Sequence, residues 1–371
     1  MKKKLISLLL SAALAVSMLT VPAFAAEGGE ADAALDETNE VVVTLGDTVT
    51  ASTVEDTDKT AADKTAADKT ETTDSAPAAS TEKKQITYVA LGDSIVAGVG
   101  LADVKYTNDS TTLYSVDMSP NFKGYSPDCY VGKVATMLGL DRDHAINLGL
   151  PALTAPDLAD MVRDGQMPKM NMESGCWYKY PEFQDYIRKA DVVSVQIGSN
   201  DAFVPCIVAL GNATNWKSEA LAASVLAGDL RASGSPAAAL IQGIKDMHLT
   251  RDERNATWNL LTSEMGKICD RIYPQTTAAL ISVVQEIRKL NPDCQILLMG
   301  YTDPVPFIPC WHNYFKKLNK FEKQLAETYD LTYVAIPKAK TDLDVHPTIS
   351  GHEYIAKKIV NSIELPEDSA Q

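Results

Sequence analysis

A chain of 371 residues, 45% hydrophobic and 22% charged, has the apolar material for a sizeable core and room for one α/β domain plus extras. With 49 acidic against 34 basic residues its formal net charge is −15. That balance argues against a nucleic-acid partner, whose phosphates need a basic surface, and against docking on anionic lipid by charge.

Lys2, Lys3 and Lys4 precede an apolar stretch from Leu5 to Val21, and Ala23-Phe24-Ala25 follows as a small-x-small site. This is the pattern of a secretory signal peptide over residues 1–25, short enough to suggest a bacterium. No positive flank follows that would retain it as an anchor, and no Cys lies near the cleavage point for a lipid anchor. No later segment is a long uncharged apolar run, so no transmembrane anchor is expected after cleavage. Cutting after Ala25 removes three lysines, leaving 31 basic and 49 acidic residues and a net charge of −18. The expected location is outside the cell or in its envelope.

Residues 26–84 carry no aromatic side chain and are rich in Asp, Glu, Thr and Ala. The pentad Asp-Lys-Thr-Ala-Ala starts at Asp58 and again at Asp63, and Asp68-Lys69-Thr70 begins a third copy. Such a segment buries too little apolar area to offset its chain entropy, and a disordered tether is expected. Only Val41-Val42-Val43-Thr44-Leu45 has strand character. The six cysteines, Cys129, Cys176, Cys206, Cys269, Cys294 and Cys310, permit disulfides in an exported protein, but sequence does not choose a pairing. None has C-x-x-C spacing, which removes a redox motif or zinc knuckle.

From Gln85 to the end the chain reads as one folded domain, 85–371. Ile86 to Leu91 is a β-rich run that stops at Gly92-Asp93-Ser94. Ala145 to Leu148 predicts a second strand, followed by Thr154-Ala155-Pro156-Asp157 as a helix start. Asp191 to Ile197 predicts a third, ending at Gly198-Ser199-Asn200-Asp201, and Cys294–Met299 and Leu331–Ile336 a fourth and fifth. Ala279, Leu280, Val283, Val284, Ile287 and Leu290 share one helical face, as do Tyr314, Phe315, Leu318, Phe321 and Leu325. Strands alternating with helices predict a mostly parallel sheet covered on both faces.

Ser94 and Asn200 both follow apolar strands, so the sheet should bring them to one edge, where open α/β sheets bind ligands. Near the C-terminus His346-Pro347 follows Asp342 and Asp344 and precedes a helical run. Serine needs a base to take its proton, histidine suits that near neutral pH, and a carboxylate can orient the imidazole. Backbone N–H groups and the Asn200 amide are candidate donors to a developing oxyanion.

These residues resemble the GDSL/SGNH hydrolases. Gly92-Asp93-Ser94, Asn147 to Thr154, Gly198-Ser199-Asn200-Asp201 and Asp344-Val345-His346-Pro347 look like blocks I, II, III and V of that family, in order. The resemblance spans roughly Ile86 to Val360. It implies a flavodoxin-like three-layer α/β/α sandwich and a serine esterase, lipase or acylhydrolase needing no metal and no organic cofactor. It also implies Ser94 as nucleophile, His346 as base, and the Ser94 backbone, Ala152 and Asn200 as the oxyanion hole.

The chain departs from that pattern twice. The family's block II glycine falls on Ala152, whose N–H serves only if the local backbone tolerates a Cβ; Gly149 is the fallback. The acid expected three residues before the histidine is replaced by Leu343, flanked by Asp342 and Asp344. Asp344 is the preferred partner, with Asp342 or a backbone carbonyl as alternatives.

Asp93 and Asp201 read as structural carboxylates beside the site, and His352 as a capping or packing residue, since two histidines without a third ligand make a poor zinc site. His144, His248 and His312 belong to no constellation. There is no Gly-x-Ser-x-Gly elbow around Ser94. A loop with Tyr106, Tyr114, Phe122 and Tyr125, and a helical insertion around 202–272 with Trp216 and Trp258, either form a lid and pocket or pad the fold. Met161, Met167, Met170, Met172 and Trp177 read equally as core or as an apolar wall. The expected activity is cleavage of a small-molecule or glycan carboxylic ester through an acyl-Ser94 intermediate. The alternatives are an O-deacetylase of acetylated glycans and a non-catalytic binding protein on the same scaffold. What discriminates the last is whether His346 lies within hydrogen-bond reach of the Ser94 hydroxyl; a separation beyond any side-chain rotation would sink the esterase expectation.

Overall fold

The computed structural model describes residues 85–101, 104, 122–221, 235–304, 309–341 and 346–364. The signal and tether segments fall outside these residues, as do Tyr106, Tyr114, Asp342, Leu343 and Asp344.

Five strands form one sheet: β1 (Tyr88–Gly92), β2 (Ala145–Gly149), β3 (Val192–Gln196), β4 (Gln295–Met299) and β5 (Thr332–Val334). Their spatial order is β2-β1-β3-β4-β5 and every pairing is parallel. Each matches an expected run to within about two residues at either end, the last being three residues long where six were expected. It is an edge strand that pairs only with β4, and Pro337 just beyond it has no N–H to extend a ladder. All residues of β1, β2 and β3 are buried, as a parallel sheet covered on both faces requires.

Helices supply the two covers. On one face lie α2 (Tyr130–Leu138) and the C-terminal α10 (Ile349–Val360), packed against each other. On the other, α8 (Met265–Leu290) packs against α3 (Ala155–Asp164), α4 (Phe183–Lys189), α5 (Ser199–Thr214) and α9 (Pro309–Tyr329). The face predicted for α8 is the buried one, through Ala279, Leu280, Val283, Val284 and Ile287. The described part of 202–272 is helical. It holds most of α5, then α6 (Pro236–Asp246), α7 (Arg251–Asn259) and a π-turn at Leu260–Glu264 that runs into α8.

Of the residues weighed as pocket lining, Phe122 and Tyr125 are core. Phe122 stacks edge-on against Tyr180, Phe183 and Tyr186, and the Tyr125 hydroxyl donates to the Ala145 carbonyl at 2.9 Å. Met161 and Met167 are also buried, whereas Met172 and Trp177 stay 77% and 66% exposed. The six cysteines are free thiols. No helix among the described residues is long and apolar enough to cross a membrane.

The strand order places the topological switch point between β1 and β3, because the chain leaves β1 toward β2 and then crosses back. Gly92 is in register with Gly149 on one side and Gln196 on the other, so the loops bearing Ser94, Ala152 and Asn200 leave the sheet at one level.

Candidate active site

Gly92 ends β1 with φ +153°, and a Cβ there would sit 2.0 Å from the Gln196 carbonyl oxygen. The close approach to β3 therefore demands glycine and fixes where the chain turns. Asp93 then caps a short helix, α1 (Ser94–Ala97), by accepting from the Ile95 N–H at 2.9 Å. Ser94 is the first residue of that helix and is half-buried, its hydroxyl at the crevice.

His346 is carried by the segment entering α10 and is almost buried. Its Nε2 lies 2.9 Å from Ser94 Oγ, although 252 residues separate them. The distance suits proton transfer between hydroxyl and imidazole. A histidine beyond reach of the serine, which would have sunk the esterase expectation, is not what the structure shows. Thr348 caps α10, and its backbone N–H donates to the Lys340 carbonyl at 2.9 Å, which anchors the histidine's segment. The expected acid, Asp344, lies outside the described residues.

The end of β2 and the loop after it are tied to β1 and to α1. Asn147 Nδ2 donates to the Val96 carbonyl at 2.8 Å, and its Oδ1 accepts the Gly149 N–H at 2.9 Å. Gly149 itself packs flat on α1, where a Cβ would meet Ala97 N at 2.3 Å. Beyond it Leu150 N–H bonds the Gly92 carbonyl at 2.9 Å. Ala152 has φ +60°, the left-handed conformation that favours glycine, and is fully buried. The backbone geometry that a glycine would supply is thus present with alanine in its place, at a local strain of about 1–2 kcal/mol.

Asn200 and Asp201 open α5 and brace the same loop. Asn200 Nδ2 donates to the Leu153 carbonyl at 3.0 Å, and Asp201 Oδ2 accepts the Ala155 N–H at 2.9 Å at the start of α3. Burial raises the Asp201 carboxyl to about 7. The structural role expected of Asp201 is seen in that contact. Tyr314 of α9 donates to the Gly198 carbonyl at 2.7 Å and fixes the turn from beneath.

Asp93 is fully buried and does more than cap. Its Oδ2 accepts the Ser199 hydroxyl at 2.7 Å and the Tyr301 hydroxyl at 3.0 Å. Burial pushes this carboxyl above its ordinary value, while the donors and the nearby His346 pull it back. Sequence reasoning singled out neither Ser199's hydroxyl nor Tyr301. The signal for Tyr301 is its place directly after β4, at the same edge as the motifs.

His352 is a packed residue, its Nδ1 accepting the Tyr130 N–H at 3.3 Å; burial drives it down to about 3, so its ring is neutral. His144 and His312 pair with Asp141 and Asp303, each at 2.7 Å. Among the described residues no group of three or more His, Cys, Asp or Glu is arranged to hold a metal ion.

The profile of the GDSL-like lipase/acylhydrolase family matches residues 90–354, a span that runs from β1 into α10. No curated protein matches the chain. Among solved structures, phospholipase A1 from Streptomyces albidoflavus NA297 aligns at 15% identity and TM-score 0.43, covering 76% of this chain and 100% of that one. An extracellular lipase from Streptomyces rimosus aligns at 14% identity and TM-score 0.43, covering 75% and 100%. A catalytic mutant of an acetylxylan esterase from Geobacillus stearothermophilus aligns at 17% identity and TM-score 0.35, covering 76% and 98%.

Proposed function

The chain belongs to the GDSL-like lipase/acylhydrolase family, and on that premise we propose that it is an exported serine esterase working through an acyl-Ser94 intermediate. The single observation that carries the mechanism is the 2.9 Å contact of His346 Nε2 with Ser94 Oγ at the switch point of the sheet.

Ser94 Oγ attacks the ester carbonyl as its proton passes to His346 Nε2. The tetrahedral oxyanion is held by the backbone N–H groups of Ser94 and Ala152. The Asn200 amide donates too, through the N–H it does not spend on Leu153. Collapse expels the alcohol, which takes its proton from the imidazolium. Water then repeats the attack on the acyl-enzyme with His346 as base, releasing the acid and restoring Ser94. Asp344 serves as the carboxylate that orients the imidazole.

The n-region lysines, the apolar stretch and the Ala23-Phe24-Ala25 site support export. The charge of the mature chain favours neutral over anionic esters. The test is hydrolysis of a graded series of nitrophenyl acyl esters by the mature protein beside Ser94→Ala. Turnover that vanishes in the variant supports the reading, and an optimum at acetyl would assign an O-deacetylase rather than a lipase. Equal turnover in Ser94→Ala would overturn it.

A further inference from the structure

Tyr301 belongs to no motif, yet the fold devotes several contacts to placing it. It stands two residues past β4, and Asn319 of α9 takes the place of a strand neighbour for it. Asn319 Oδ1 accepts the Tyr301 N–H at 2.7 Å, and Asn319 Nδ2 donates to the Tyr301 carbonyl at 2.9 Å. The Tyr301 ring packs on Phe315, centroid to centroid 5.5 Å, and the residue is 3% exposed. Gly300 before it leaves room for the Tyr333 hydroxyl, which a Cβ there would crowd. The result is a hydroxyl aimed across β3 at Asp93 Oδ2, 3.0 Å away.

The protonation state of Asp93 follows from its partners. Oδ1 faces the Ile95 N–H and Oδ2 faces two hydroxyls, those of Ser199 and Tyr301. With donors on both oxygens, the side chain is set up as an acceptor only, which is the pattern of an ionised carboxylate. That buried charge lies one residue before the nucleophile and caps the helix that Ser94 begins.

We propose that Tyr301 is a positioning residue of the ester hydrolysis. Together with Ser199 it holds Asp93 as a buried anion, and Asp93 in turn fixes the turn on which Ser94 stands. Tyr301 touches neither substrate nor reacting atoms; it acts through Asp93. The inference rests on the reading of Ser94 as nucleophile.

The test compares Tyr301→Phe, Asp93→Asn and the double variant with the unmodified chain and Ser94→Ala, in steady-state hydrolysis of nitrophenyl acetate with thermal unfolding alongside. Losing one hydrogen bond to a buried charge should lower kcat of Tyr301→Phe about tenfold with KM unchanged. In the Asp93→Asn background the same change should alter kcat by less than about twofold, since the two act as one unit. A kcat for Tyr301→Phe within about twofold of the parent overturns the proposal, as does an equal loss in both backgrounds. So does a loss seen only as raised KM with a lowered melting temperature. If Tyr301→Phe does not fold, Ser199→Ala removes the other donor to the same oxygen and should reproduce the fall in kcat; an unchanged kcat overturns the proposal equally. Turnover that is absent from the parent chain, or that persists in Ser94→Ala, overturns the esterase reading and the proposal with it. Turnover lost in Ser94→Ala but kept in Tyr301→Phe overturns the Tyr301 role alone.

Discussion

Glu322 should be a burden on the fold, and replacing it should make the protein more stable. It lies in α9 between Leu318 and Leu325, is 0% exposed, and neither carboxyl oxygen has a hydrogen-bond partner among the described residues. Burial alone pushes its carboxyl well above the ordinary glutamate range, so the acid is held neutral. Even a neutral buried polar group without a partner costs about 1–3 kcal/mol. Leucine has nearly the same volume and fits a stripe that already contains Phe315, Leu318 and Leu325. Glu322→Leu should therefore gain about 2 kcal/mol at pH 7, a rise of roughly 3 °C in melting temperature for a domain of this size. The sign with pH follows from linkage. A carboxyl whose folded value is raised keeps its proton in the folded state while the unfolded chain releases it above about pH 4.3. Its burden is thus smallest below that pH and grows as pH rises toward the folded value. Guanidinium unfolding of both proteins at pH 4 and pH 7 tests this. A variant less stable than its parent at pH 7, or an advantage no larger at pH 7 than at pH 4, would refute the reasoning.

Two further predictions concern the loops of the site. Gly92→Ala places a methyl 2.0 Å from the Gln196 carbonyl oxygen, and should cost more than about 3 kcal/mol or abolish soluble protein, as read by circular-dichroism melts. Ala152→Gly relieves about 1–2 kcal/mol of left-handed strain, but loses a buried methyl worth about 0.8 kcal/mol and gives the unfolded chain about 0.4–1 kcal/mol of entropy. Its stability by urea titration should stay within about 1 kcal/mol of the parent and its kcat within a few-fold. Ala152→Val, with a branched Cβ at φ +60°, should lose both, and a fully active valine variant would show that this loop does not set the oxyanion geometry.

The sheet and the nucleophile pair were legible because their physics is local. Short apolar runs ending in Gly-Asp-Ser and Gly-Ser-Asn-Asp mark buried parallel strands whose loops meet at one edge, and His-Pro before a helix start supplied the base. The strain at Ala152 was legible as a departure, although only the backbone shows that alanine takes the left-handed conformation there. What stayed hidden depends on contacts between distant segments. Tyr301 and Asp93 are 208 residues apart, and nothing in the local pattern of either tells that one hydroxyl finds the other. Glu322 was visible in principle, since it falls four residues after Leu318 and three before Leu325 on the apolar face. A single acid in such a stripe is easily taken for its polar border. For the aromatic loop residues Phe122 and Tyr125 the sequence left pocket lining and padding equally open, and only their burial decides for the core.

The central claim is that His346 activates Ser94 for acyl transfer. Its most direct test is covalent: the mature protein is treated with a fluorophosphonate and the adduct located by peptide mass spectrometry, beside Ser94→Ala and His346→Ala. The account predicts one phosphonyl group on the Ser94 peptide, none there in Ser94→Ala, and labelling slowed at least about a thousandfold in His346→Ala. An adduct on another residue, or labelling of Ser94 at the same rate without His346, would contradict it.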